Sequence, residues 1–400
     1  MSNLWMTWSD INKKLEDRPL VYWGAGNRMQ KTRRYVSREP EFCIDNNPYE
    51  QGTVEDGVKI VGPGALFSDW RPFYPFVVIT TTGFLDVKKQ LESYGLREGE
   101  RFCVSPVLKD FSILDRMATH KARILFTCSD PYNEKDKRGG LYSMEIPSGE
   151  FAQIRGGHCH GLAFSHSLCA IVLVNDTAGG IEIIRQWTLY PSVTRIELPK
   201  DARPHGVACE GGWIAVCYSG RDEVAQFLGG KLNATDTLSR KRYIFGQPEH
   251  HVNDCEISDG RLYVSMFSYS GNWKKDIFDG VIMERGLVGD PEWRPVMKNL
   301  SLPHTPRVID GVLHFCESME GKLYKGMNVL ATFNGFIRGV DFDGEFYYVG
   351  QSQHRHITRR LGASNISLDT GIFMLDPITK CTRFYPTPGL TDINAVMVSP

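Results

Sequence analysis

The sequence has no apolar stretch approaching the ~18 residues of a membrane-spanning helix, and its first residues lack the basic start and long apolar run of a secretory leader. These gaps argue against membrane insertion, and the expected location is the cytoplasm. No charge sign dominates, with 46 Lys+Arg against 47 Asp+Glu. A chain that coats nucleic acid needs a basic surplus, so no nucleic-acid partner is expected. The 10 cysteines include no Cys-x-x-Cys pair, and several lie in apolar strand-like runs such as 213–218. They read as reduced, mostly buried thiols, not as a disulfide frame or a zinc ribbon.

What is present is a soluble globular composition, 42% hydrophobic and 23% charged, over 400 residues. That length exceeds one ordinary domain. The character of the sequence changes near residue 110. Before it, Pro19-Leu20-Val21-Tyr22-Trp23 runs into Gly24-Ala25-Gly26-Asn27 and then a polar, helix-compatible stretch. Strand, glycine turn and helix open a nucleotide-type α/β unit. Further strands are expected at Phe42-Cys43-Ile44 and at 76–80, with a helix from Leu85 to Tyr94, giving a β-α-β-β-α order and a small parallel sheet. Gly24, Gly26, Asn27 and Asp45 are the candidate cofactor-binding residues, for a nucleotide moiety. Asp45 stands about where a ribose-binding acid belongs, ~20 residues after the glycines. Met29 replaces the third glycine of the dinucleotide pattern, which weakens an oxidoreductase reading. The alternative is a scaffold whose turn needs glycine only for its geometry.

Tyr22–Asn27, Asp45-Asn46-Asn47-Pro48, Gln51-Gly52, Gly57–Val61, Val77–Thr82 and Gln90–Gly95 together resemble small Rossmann-like domains of bacterial cell-surface sugar pathways. That resemblance covers about the first quarter of the chain and implies a sugar context.

From residue 121 on, short β-runs are separated by turn residues. One unit recurs: a polar residue, a small or polar one, then an alternating apolar strand. It begins at His160, His205, Asn253, His304, Arg338 and Asn394, in steps of 45, 48, 51, 34 and 56 residues. A period of this size, built of four short strands, is a β-propeller blade, and six units give six blades. The last unit has no room for following strands, whereas 122–128 and 140–146 lack a preceding one. The C-terminal strand is therefore expected to complete the blade begun at 122. The expected fold is α/β plus all-β: a small Rossmann-like domain (1–107), a linker (108–121) and a six-bladed β-propeller (122–400).

First strands of propeller blades line the axial channel, so residues at the repeat position converge. Imidazoles from His160, His205 and His304, with His251 two residues before Asn253, suit a divalent metal such as zinc, iron or manganese. The same histidines also suit a water-filled channel as two-ended hydrogen-bonding groups. The residues following each blade's second strand, Ser129-Asp130, Asn175-Asp176, 219–221, Ser268-Tyr269, Glu317-Ser318 and 351–355, are expected to ring the same mouth. This places Asp176, Asp254 and Glu317 as acids able to move protons, and Tyr218, Tyr269 and Trp273 as rings able to stack on a sugar. Arg338 in the channel suits a phosphate or carboxylate, extended by the basic segment 354–360. Alternatively, Arg338 forms a structural ion pair with Asp392 or Asp254.

His251-Val252-Asn253-Asp254, Leu302–Arg307, Gly335–Gly339 and Val349–Ser352 resemble an uncharacterised bacterial propeller family over most of 121–400, with Thr305 where a serine is common. The resemblance implies the fold and a setting in surface-polysaccharide or secondary-metabolite gene sets.

The expected function is a metal-dependent enzyme acting on a sugar or nucleotide-sugar substrate by epimerase, isomerase, lyase or hydrolase chemistry. Its catalytic candidates are Asp254, Glu317 and Arg338, and its metal ligands His160, His205, His251 and His304. The alternative is a non-catalytic glycan- or protein-binding propeller docked through its N-terminal domain. Homo-oligomerisation is left open.

Overall fold

The computed structural model describes residues 3–68, 74–129, 138–185, 191–228, 240–246, 249–288, 292–353 and 365–400. The chain divides into two compact units, Met1–Thr119 and His120–Pro400.

The first unit is a six-stranded mixed sheet with short helices. Its order is Val54–Glu55, Val58–Val61, Pro40–Ile44, Leu20–Trp23, Phe76–Ile79 and Phe102–Val104. All pairs are parallel except the Val54–Glu55/Val58–Val61 hairpin. The central strands Leu20–Trp23 and Phe76–Ile79 are buried at every position, which is why they read as unbroken apolar runs without alternation. The hairpin, the edge strand Phe102–Val104 and the helix Trp8–Leu15 add to the expected β-α-β-β-α order. Residues 108–121, expected as a connection, contain most of a 3₁₀ turn, Pro106–Phe111, and the helix Ser112–Thr119, which belong to this unit.

The second unit is a six-bladed β-propeller of four-stranded antiparallel sheets. The inner strands of blades one to six are Cys159–Ser165, Pro204–Glu210, Val252–Ser258, Pro303–Ile309, Phe336–Phe342 and Val396–Val398. Second strands such as Ala170–Asn175 and Tyr347–Ser352 are wholly buried because neighbouring blades cover both faces. Outer strands such as Ser192–Glu197 have one face in solvent and become polar. Val396–Val398 pairs with Ala122–Cys128, so the C-terminal strand closes the ring as the repeat phase requires.

The inner strands of blades one to five each carry a register break at the repeat unit, at Cys159/Leu162, Pro204/Val207, Val252/Asp254, His304/Arg307 and Arg338/Val340. Such a bulge re-aims side chains and increases twist. Here it turns the first residue of the unit toward the axis and presses the second against the next blade. A Cβ at Gly339 would lie 2.6 Å from the backbone nitrogen of Val396, and Gly339 has φ +72°. In two other blades the second residue carries an acceptor for its neighbour. Asp254 Oδ2 accepts the Thr305 N–H at 3.1 Å, and Thr305 Oγ1 accepts the Gly339 N–H at 3.0 Å. The alternation of glycine with Asp or Thr therefore has one cause, the close approach of adjacent inner strands.

Two outcomes check this account. Gly339→Ala combines a left-handed backbone with a backbone clash and should cost on the order of 3 kcal/mol in denaturant unfolding. A chain ending at Asn394 loses the buried Val396 and Met397 and reopens a blade edge. At about 2 kcal/mol per buried apolar side chain, that loss is a large part of a domain's net stability. The truncated chain should melt well below the full one and aggregate through the exposed edge, as light scattering would show.

Candidate functional site

At one end of the propeller channel the repeat residues enclose a cavity of about 410 Å³. His160, His205, Asn253, His304, Arg338 and Asn394 all line it, one from each blade, together with His251, Asp254 and Ser129. The repeat phase thus brings together every inner-strand residue expected at the mouth. His158, which stands two residues before His160 as His251 does before Asn253 and could by alternation face the same channel, lies outside the lining, whereas Phe267, Trp273, Leu302 and Phe336 belong to it. Leu302 and Phe336 occupy the position two residues before the repeat residue, as His251 does, and that alternation was the available signal. Phe267 follows the second strand Arg261–Met266 and Trp273 stands in a 3₁₀ turn, so neither carries a repeat signature.

The lining forms a continuous collar. The ring centroids of His160 and His205 are 4.7 Å apart and stacked, and His205 meets His251 edge-on at 5.4 Å. His251 stacks on Phe267 at 4.3 Å and touches Trp273 at 4.7 Å. Phe267 packs on His304 at 5.0 Å, and His304 on Phe336 at 5.7 Å. The Arg338 guanidinium lies over the Phe336 ring, 5.0 Å from its centroid, and Arg338 Nη1 donates to Asn394 Oδ1 at 2.6 Å. Asn394 Nδ2 then donates to the Cys159 carbonyl at 3.1 Å, returning the chain of contacts to blade one.

His251 has a left-handed backbone, φ +54°, a rare conformation for a non-glycine residue. The buried Asp222 holds it there, accepting the His250 N–H at 2.6 Å and the Val252 N–H at 3.0 Å. Burial, with the nearby Arg338 charge, pushes the His251 and His304 imidazoles well below their ordinary pKa, so both are neutral at neutral pH.

The four histidines stand in a row along the lining, His160 stacked on His205, His251 edge-on to His205, and His304 beyond Phe267. Planes 29° apart at His160 and His205 leave the in-plane lone pairs running side by side instead of converging. The Phe267 ring packs against both His251 and His304, and His304 Nδ1 is turned back to the Leu302 carbonyl at 2.9 Å. Among the described residues no group of three or more His, Cys, Asp or Glu side chains is placed to hold a metal ion. The four histidines expected to hold zinc, iron or manganese, His160, His205, His251 and His304, share the cavity lining but do not form such a group.

The acids also differ from expectation. Glu317 is buried away from the cavity, where it accepts the Ser301 N–H at 3.0 Å and the Tyr324 hydroxyl at 3.1 Å. Asp176 is exposed and outside the lining. Asp254 does reach the cavity, but its carboxylate is engaged by the Cys255 and Thr305 N–H groups, and burial raises its pKa to about 6. Of the described post-strand residues expected at the mouth, only Ser129 lines the cavity. Ser318 and Ser352 instead fasten neighbouring blades, donating to the Ile337 and Ile393 carbonyls at 2.6 and 2.8 Å. Tyr218 is core, and Tyr269 is exposed beneath Lys298. Asp130 and the basic segment 354–360 lie outside the described residues.

In the first unit, Gly24 has φ +109°, and a Cβ there would lie 2.7 Å from Thr81 Cβ, so glycine is required by packing. Gly26, at φ +102°, precedes the helix that starts at Asn27. Asp45 Oδ2 accepts the Ala25 N–H at 2.9 Å and Oδ1 the Asn47 N–H at 2.8 Å. Both Asp45 oxygens thus help to close the turn.

Farther along the inner strands Arg307 lies 3.7 Å from Glu256 and 3.5 Å from Asp341, whose Oδ2 accepts the Val398 N–H at 2.8 Å. Burial raises Glu256 to about 7 despite the arginine.

A domain of unknown function, DUF4915, matches residues 242–375. No curated protein matches the chain. Solved structures similar to it include a chain of a nidogen/laminin complex, at 13% identity and TM-score 0.48, covering 70% of this chain and 98% of that one. A gluconolactonase from Xanthomonas campestris has 15% identity and TM-score 0.41, covering 58% and 77%. The calcium-binding protein regucalcin from Agrobacterium tumefaciens has 13% identity and TM-score 0.41, covering 58% and 75%. Likeness at this level bears on neither substrate nor chemistry.

The raised carboxyls carry a sign for stability. A folded-state pKa above the unfolded one means the native protein binds more protons, so stability is greatest at low pH and is lost as pH rises through the folded values. For Asp254 and Glu256 that interval runs from their ordinary 3.8 and 4.5 to about 6 and about 7. The melting temperature should fall from about pH 4 to about pH 7, and Glu256→Gln should flatten that fall in calorimetric scans.

Proposed function

We propose that the collar is the site of an enzyme acting by proton transfer on a small sugar-type substrate, in the hydrolase, lyase or isomerase range. The observation that carries this reading is the ring of imidazole, aromatic and polar side chains around about 410 Å³. That volume falls within the ~300–1,000 Å³ of small-molecule sites. The aromatic faces of Trp273, Phe267 and Phe336 suit the C–H faces of a sugar ring. Asn253, Asn394, Ser129 and the neutral imidazoles suit its hydroxyls, and Arg338 favours a substrate bearing a carboxylate or phosphate.

Proton transfer is assigned to the imidazoles, since Glu317 is remote and Asp254 is engaged by backbone. The N-terminal sheet is read as a Rossmann-like scaffold whose turn Asp45 stabilises, and no nucleotide enters the reading. A cytoplasmic location accords with ten cysteines that form no disulfide.

The test is calorimetric titration of the full chain with D-glucuronate, D-glucose and glucono-1,5-lactone, followed by NMR of each mixture for product. Glucuronate should bind more tightly than glucose, and Trp273→Ala should weaken it about ten-fold, the worth of one stacking contact. Binding without product from any of the three would favour the non-catalytic glycan-binding module. Failure to bind all three would overturn the sugar reading.

A further inference from the structure

His304 is held unlike a free channel imidazole. Its Nδ1 lies 2.9 Å from the Leu302 carbonyl oxygen and 2.7 Å from Ser318 Oγ. A carbonyl can only accept, so Nδ1 carries the proton. Ser318 Oγ lies 2.6 Å from the Ile337 carbonyl, where its own proton must go, and this leaves an oxygen lone pair for Nδ1–H. Leu302, Ser318 and Ile337 thus admit one consistent arrangement of protons. A neutral ring has no second proton, so Nε2 is bare. Phe267 and Phe336 pack against the ring and fix its orientation, and the ring lines the cavity.

We propose that His304 is the proton acceptor of the site, presenting Nε2 to a hydroxyl or water in the cavity, with Ser318 as its positioning residue. This rests on the sugar-site reading and names the side chain that meets the reacting O–H. As the O–H bond breaks, its electron pair stays on oxygen, for attack on carbon or closure of a carbonyl, and the proton forms Nε2–H. The same proton then returns to the oxygen that leaves. The Arg338 charge disfavours the imidazolium and so favours that return. Ser318, wholly buried, acts only through the ring.

The test is ¹⁵N NMR of the full chain with labelled histidine, His304→Gln supplying the assignment. The free protein should show His304 protonated at Nδ1 and bare at Nε2. A protonated Nε2 would overturn the proposal whether or not any sugar binds. With D-glucuronate at saturation, the Nε2 resonance should move. If calorimetry shows binding while Nε2 stays unmoved, the proposal fails and the sugar reading stands. If glucuronate does not bind, carbethoxylation by diethyl pyrocarbonate decides, with adduct at His304 Nε2 expected and adduct at Nδ1, or none, overturning it.

Ser318→Ala should weaken the glucuronate response at Nε2 roughly five-fold, the worth of one hydrogen bond, with Ser318→Thr restoring it. An unchanged response in Ser318→Ala would remove Ser318 from the positioning role. If either variant fails to fold, the wild-type tautomer and adduct remain the deciding observations.

Discussion

Six inner strands can meet around one axis only if their backbones come nearly into contact, and this close approach governs the rest of the propeller. Where it is tightest, the chain either omits the side chain, as at Gly161, Gly206 and Gly339, or supplies an acceptor to the neighbour's N–H, as Asp254 and Thr305 do. In blades one to five the bulge takes one or both members of the pair out of the ladder, and the first member lines the channel. One local distortion thus fastens the blades and furnishes the mouth.

This coupling explains what could be read in the sequence. His160-Gly161, His205-Gly206, Asn253-Asp254, His304-Thr305, Arg338-Gly339 and Asn394-Ala395 stand out because the first member is chosen by the channel and the second by the neighbouring strand. Blade number, closure by the C-terminal strand and the lining residues all follow from that pair. Ring orientation does not. Whether four imidazoles converge on a point or stand in a row depends on angles of tens of degrees and on Phe267, which belongs to no repeated pair. Glu317 misleads for a related reason. Its place at the end of a second strand reads as the mouth, yet the equivalent Asn175 and Tyr218 are buried too, and Tyr324 and the Ser301 amide are its partners.

The first unit shows the limit of reading acids from spacing. Asp45 stands at the distance from the glycine turn that a ribose-binding carboxylate would have, but that distance is also what lets it reach the Ala25 N–H and close the turn. Buried strands such as Leu20–Trp23 were legible from their apolar runs, whereas the small hairpin at 54–61 carries too few residues to show a period.

Ring closure by Val396–Val398 has a consequence during synthesis. The three strands of blade six that begin at Ala122 are complete by Gly156, roughly 240 residues before their fourth strand is made. At translation rates of about 5–20 residues per second, the Ala122–Cys128 edge waits on the order of 10–50 s for its partner. Through that interval the nascent propeller is an open crescent with an unpaired strand at one end. The burial that makes the finished ring stable arrives late and all at once.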